Sequence, residues 1–160
     1  MTGKRMRDGY LEIPARPDAV RHARVHVHTM LRKWNLGVLV ETAELLVSEL
    51  AANAVTATRG MNRATMPGAR DYGTQHTADF LDYIWVDVHR TPGAVVLEVG
   101  DPSPDPPRLR PAALDDEGGR GLFLVSVLAA GWGHRLPVTG GKVVWCALAC
   151  PAAGHTSDGL

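Results

Sequence analysis

The chain has 160 residues, 45% of them hydrophobic, with seventeen basic and seventeen acidic side chains. That size fits one domain with a real core, and the balanced charge excludes an electrostatic grip on nucleic acid or an anionic membrane as the main mode of binding. No run of about eighteen apolar residues exists and no apolar stretch follows the basic start MTGKRMRDGYLEIPARP, so neither a membrane span nor a secretory signal is expected, and the expected compartment is the cytoplasm.

Residues 1–9 read as a flexible N-terminus, 10–150 as the domain and 151–160 as a flexible tail. The segment YLEIP, residues 10–14, alternates and ends in proline, which predicts an edge strand. Pro17 and Asp18 suit the first turn of a helix. Val20, Ala23, Val27, Met30, Leu31 and Trp34 then recur at helical spacing, so a helix is expected over 18–34. His22 and His26 lie four apart on it, but no third metal ligand accompanies them, and they read as exposed polar-face residues.

Asn35, Leu36 and Gly37 break the pattern, and a second helix is expected over 39–57. Its stripe of Leu46, Val47, Leu50, Ala51, Ala54 and Val55 marks the buried face. Residues 59–80 are polar and punctuated by Gly60, Pro67, Gly68 and Gly73, which reads as a long loop with a short helical turn near 75–82. Strands are expected at 84–90 and 94–101, joined by Thr91-Pro92-Gly93. The run 101–121 is too rich in proline and glycine for regular structure, and a helix is expected over 121–131. Strands at 132–138 and 142–149, turning at Thr139-Gly140-Gly141, complete the chain. Cys146 and Cys150 would sit about 13 Å apart on one strand at ~3.3 Å per residue, too far to pair.

Hairpins with grouped helices imply an α/β two-layer sandwich, its sheet mixed but mainly antiparallel, with the helices on one face. GxxxxGK[ST] is absent, which excludes a P-loop.

Two constellations carry chemistry. In SELAANAV, Glu49 and Asn53 are one helical turn apart. An amide oxygen is a hard ligand suited to Mg²⁺, and a carboxylate one turn away can take a proton from a hydroxyl or water. Further on, Asp101 ends an apolar strand, where its carboxylate can accept from an exocyclic amine. Gly118, Gly119 and Gly121 cluster backbone N–H groups before a helix, an anion nest, with Arg120 among them. Either constellation alone is a weak signal, since a polar pair on a helix and a glycine helix start are both common.

Taken in order they resemble a family. ELLVSELAANAV, VLEVGDPSPDPPRLRP, EGGRGLFLV and GWGHRLPVTGGKVVWCAL are similar to the GHKL (histidine kinase-like) ATPases, above all the small anti-sigma-factor serine kinases and their actinobacterial relatives. The resemblance implies the Bergerat-type ATP-binding fold, with ATP and Mg²⁺ as ligands. It implies that Glu49 is the general base, that Asn53 holds Mg²⁺, that Asp101 reads adenine, and that Gly119, Arg120, Gly121 and Leu122 lie at the phosphates. Residues 102–118 would be the lid, with Ser103 where a glycine usually stands. Ala57 replaces a frequent histidine, and Val143 and Val144 replace a frequent serine or threonine. The implied activity is a serine/threonine protein kinase that phosphorylates an anti-anti-sigma partner, sequesters a sigma factor, or does both. A nucleotide-gated binding module without transfer is the alternative. Relatives of this type are often dimers, and no histidine-phosphorylation segment precedes the ATPase motifs.

Overall fold

A computed structural model describes residues 7–65, 83–107 and 120–152. In chain order these form β1 (Tyr10–Pro14), α1 (Ala19–Lys33), α2 (Val40–Thr65), β2 (Tyr83–Thr91), β3 (Ala94–Asp101), α3 (Arg120–Leu128), β4 (Gly131–Arg135) and β5 (Lys142–Ala149). The strands build one five-stranded sheet in the order β1-β2-β3-β5-β4, and every ladder in it is antiparallel. The expected two-layer sandwich is therefore present, without the parallel component that a mixed sheet would have.

Strand alternation decides which side the helices cover. Ile84, Val86 and Val88 of β2, Val95, Leu97 and Val99 of β3, and Val144, Cys146 and Leu148 of β5 are all buried. Their partners in the core are Ala23, Val27 and Leu31 of α1 and Leu46, Val47, Leu50, Ala51 and Ala54 of α2. Each such leucine or valine removed from water contributes roughly 1.5–3 kcal/mol, so the face of α2 opposite its polar residues is firmly seated on the sheet. Burial pushes the Cys146 thiol up to about 12, which leaves it an inert core residue. No helix is long and apolar enough to cross a membrane among the described residues.

β1 pairs only with β2 and so lies at the sheet edge, where its terminal proline is tolerated. Asn35, after α1, adopts φ 57°, a left-handed turn that reverses the chain. The β2–β3 hairpin is tighter than the three-residue turn expected. Thr91 pairs with Ala94, and Pro92-Gly93 alone makes the reversal, with Gly93 at φ 78°.

Four expectations need correction. α2 runs to Thr65, two turns beyond the expected end at residue 57, so the first part of the expected 59–80 loop is helical. Gly60 does not stop it, and the buried Thr58 hydroxyl donates to the Ala54 carbonyl within the helix. β4 ends at Arg135 instead of residue 138, because Pro137 opens the turn in which Gly140 N–H donates to the Pro137 carbonyl at 3.0 Å. The third helix ends at Leu128, with Gly131 already in β4. The histidines of α1 are also not uniformly solvated. His22 is exposed, but His26 Nε2 lies 2.7 Å from the Gly9 carbonyl and His28 Nδ1 lies 2.8 Å from Glu44 Oε1. The helical turn expected near 75–82 lies outside the described residues, and so do most of both termini.

Two glycines should respond to alanine with opposite signs. Gly141 sits at φ 73°, and a Cβ there would come 2.2 Å from the Asp101 carbonyl oxygen. Gly141→Ala is expected to cost about 1–3 kcal/mol in urea unfolding, because neither strain nor clash can relax cheaply. Gly60 is exposed within α2 and a Cβ there meets nothing within 4 Å. Gly60→Ala is expected to stabilise by roughly 0.5–1 kcal/mol through helix propensity.

Candidate functional site

The polar side of α2 and the ends of β3 and β5 enclose a pocket of about 650 Å³. That volume falls within the range of small-molecule sites. Glu49, Asn53, Asp101, Ser103 and Leu122 all line it, so residues from three separated stretches of the chain meet at one place. Gly119 lies outside the described residues. Arg120 and Gly121 open α3, whose neighbouring Leu122 is buried against the pocket. The first four N–H groups of a helix have no partner within it, so the start of α3 presents donors on this side.

Glu49 and Asn53 are half-buried on the wall formed by α2. Neither side chain is committed to a hydrogen bond with another described residue. The pairing follows from the helical repeat: the apolar stripe faces the sheet, and positions 49 and 53 fall beside it, turned toward the open end of the layer.

The opposite wall is held by a buried ion pair. Lys142 Nζ donates to Asp101 Oδ1 at 2.9 Å, with side chains only 6% and 1% exposed. The Ser103 N–H donates to the same oxygen at 2.9 Å, and the Ser103 hydroxyl accepts from the Asp105 N–H at 3.3 Å. Burial raises the Asp101 carboxyl above its usual range, while Lys142 and the Ser103 N–H pull it the other way. A carboxylate offers about four lone-pair directions, and these two bonds leave acceptor capacity for a ligand. Asp101 and Lys142 are register partners across β3 and β5, which explains the short contact.

Lys142 was missed in reading the sequence. The signal was present but faint: a lysine directly after Gly140-Gly141 and at the first position of an apolar strand. Gly60 and Met61 were missed as well, because the pocket wall includes the part of α2 taken for loop. Asp105, Pro106 and Pro107 extend the wall from the start of the expected lid. Of the departures noted in sequence, Ala57 and Val144 do line the pocket, as Ser103 does. Val143 does not; it alternates to the other face of the sheet.

The charge of the pocket decides what it can accept. Among its described lining residues Glu49, Asp101 and Asp105 are acidic, and Lys142 is already paired. A polyanion would meet net repulsion unless a cation accompanied it. A hard divalent ion fits this donor set, since Asn53 and Glu49 offer uncommitted oxygens and Mg²⁺ keeps most of its shell as water and phosphate.

Lys142→Met should leave Asp101 buried without its counter-ion and cost about 3–5 kcal/mol at neutral pH. With the Lys142 attraction gone, the Asp101 pKa rises further above its unfolded value. A raised folded pKa gives stability that is present in acid and lost as pH rises through it, so the deficit should shrink on acidification. Urea unfolding from acid to neutral pH reads both the deficit and its sign.

Comparison with known proteins adds one finding. Residues 13–146 match the family model of the histidine kinase-like ATPase domain. No curated protein matches the chain. The matched span covers Glu49, Asn53, Asp101, Ser103, Leu122 and Lys142, every described residue that the pocket argument rests on. A model match over most of the sequence, on a two-layer sandwich with an open antiparallel sheet, establishes that this chain belongs to the histidine kinase-like ATPase domain family.

Proposed function

We propose that the pocket binds ATP with Mg²⁺ and that the chain is a regulatory protein of the anti-sigma-factor serine/threonine kinase type. The observation that carries the ATP reading is the convergence of Glu49, Asn53 and Asp101 on one pocket beside the start of α3. Asp101 would accept a hydrogen bond from the adenine amino group. Val99, Leu50 and Val144 supply apolar wall for the ring. The α3 N-terminus, with Gly121 and Leu122 in its first turn, would donate to phosphate oxygens, and Gly119 and Arg120 would extend that cradle.

Asn53 is the residue assigned to hold Mg²⁺, which when bound neutralises charge on the phosphates. Glu49, one turn away, would accept the proton of a substrate hydroxyl as its oxygen attacks the terminal phosphorus, the bond to the bridging oxygen breaks and ADP leaves. The substrate would be a serine or threonine of an anti-anti-sigma protein, and a sigma factor would compete for the same chain. This part rests on the sequence resemblance alone. A second reading, a nucleotide-gated binding module without transfer, draws on Ala57 and Val144, which put apolar groups in the pocket where relatives often have polar ones.

Incubation with labelled ATP, Mg²⁺ and candidate anti-anti-sigma proteins separates the two. The kinase reading expects transfer to serine or threonine that drops at least a hundredfold in Glu49→Ala, within the 10²–10⁴ range of general-base catalysis, while nucleotide binding persists. Transfer undiminished by Glu49→Ala contradicts the assignment of the base. ATP binding without transfer to any such protein favours the module.

A further inference from the structure

The face of the sheet turned away from the helices carries a second cluster. Asp87 and His89 are two apart on β2 and so project to the same side. Glu98 of β3 is the direct register partner of Asp87. One ligand atom from each of the three falls within 4.8 Å of the others. We propose that Asp87, His89 and Glu98 bind a divalent transition-metal ion of the zinc class, separate from the nucleotide pocket on the opposite face.

The cluster alone would carry little, since acidic groups often gather on sheets. The second observation is that two of its buried atoms have no hydrogen-bond partner. Asp87 is only 5% exposed, and its Oδ1 is unsatisfied. His89 Nδ1 is likewise unsatisfied. Buried polar atoms are nearly always paired, and leaving one unpaired is costly. A cation held between this carboxylate and the imidazole would give His89 Nδ1 a partner and compensate the charge of the buried Asp87.

The distances suit it. His89 Nδ1 lies 3.4 Å from Asp87 Oδ2. Ligand bonds near 2.1 Å give a tetrahedral edge of about 3.4 Å, so this pair is already spaced for one ion. Glu98, whose ligand atom lies within 4.8 Å of the other two, has to swing inward to complete three protein ligands, and a water would take the fourth position. Two guanidiniums now stand where the ion would be felt. Arg7 approaches Asp87 Oδ2 at 3.6 Å from a side chain 72% exposed, a weak tie. Arg135 is hydrogen-bonded to both Glu98 oxygens from a side chain 49% exposed, and it must loosen as the ion binds.

Donor chemistry sets the selectivity. One imidazole with two carboxylates favours zinc, nickel, cobalt or copper over Mg²⁺, which prefers an all-oxygen shell. The two faces of the sheet would thus hold different ions without exchange between them.

The test is a calorimetric titration of the full chain with Zn²⁺ in excess Mg²⁺ and no nucleotide, with Co²⁺ as a spectroscopic substitute. The expected result is one ion per chain, undisplaced by Mg²⁺, with a rise in Tm and a four-coordinate cobalt spectrum. Glu98→Gln is isosteric at a partly buried side chain and should keep the fold while weakening binding at least tenfold. His89→Ala should abolish the cobalt spectrum, whereas His22→Ala on α1 should change neither. Asn53→Ala should leave zinc affinity intact, so failure of the ATP reading and failure of this one are told apart. No Zn²⁺ binding by the wild type, or binding that Glu98→Gln and His89→Ala leave unchanged, overturns the proposal.

Discussion

The buried contact between Lys142 and Asp101 is the constraint on which the pocket depends. It closes the ends of β3 and β5 over the polar side of α2, and the segment that follows begins from it through the Ser103 N–H. A pair so deeply buried contributes little net stability against a hydrophobic substitute, because both ions lose their water. What it does is fix a carboxylate at a defined place in an apolar wall. Gly141 belongs to the same device, since only a residue without Cβ lets the turn before β5 lie against the Asp101 backbone.

Around that anchor the sheet divides the labour of the two faces. The covered face is apolar except at its end, where α2 carries Glu49 and Asn53 into the pocket. The opposite face carries charge and aromatic rings. Trp85 lies across Gly100, leaving no room for a Cβ there, and Tyr10 packs against Trp85 with ring centroids 5.7 Å apart. The charged row of Asp87, Glu98 and Arg135 crosses this face on β2, β3 and β4, with Arg135 reaching Glu98 past β5. Fold and pocket are therefore coupled through β3, which contributes Leu97 to the core, Glu98 to the outer face and Asp101 to the pocket.

Most of the architecture was legible in the sequence because its signals are periodic. The stripe from Leu46 to Val55 defined α2, alternation defined β2 and β3, and Gly140-Gly141 marked the last turn. The ends were less legible for physical reasons. Arg59-Gly60-Met61 opens a polar, glycine-containing segment that reads as loop, yet α2 continues through it, with Met61 on the pocket wall. Of the site, Glu49, Asn53 and Asp101 were found only because three weak signals stood in order, and the pocket then brought them together. Lys142 gave only a faint signal, because a lone lysine at a strand start is ordinary in sequence. Only the register with Asp101 gives it a role. The side chain of Arg120 and all of Gly119 lie outside the described residues, so their expected phosphate contacts stand on sequence alone.

The most direct test of the central claim is a calorimetric titration of ATP into the wild type, Asn53→Ala and Asp101→Ala, with and without Mg²⁺. Loss of one charged hydrogen bond is worth about 1.5–3 kcal/mol, so Asp101→Ala should weaken ATP binding roughly ten- to hundredfold in either condition. Asn53→Ala should remove the gain in affinity that Mg²⁺ gives the wild type. Absence of ATP binding by the wild type, or equal affinity in all three proteins, would contradict an adenine-reading, Mg²⁺-dependent pocket between α2 and the end of β3.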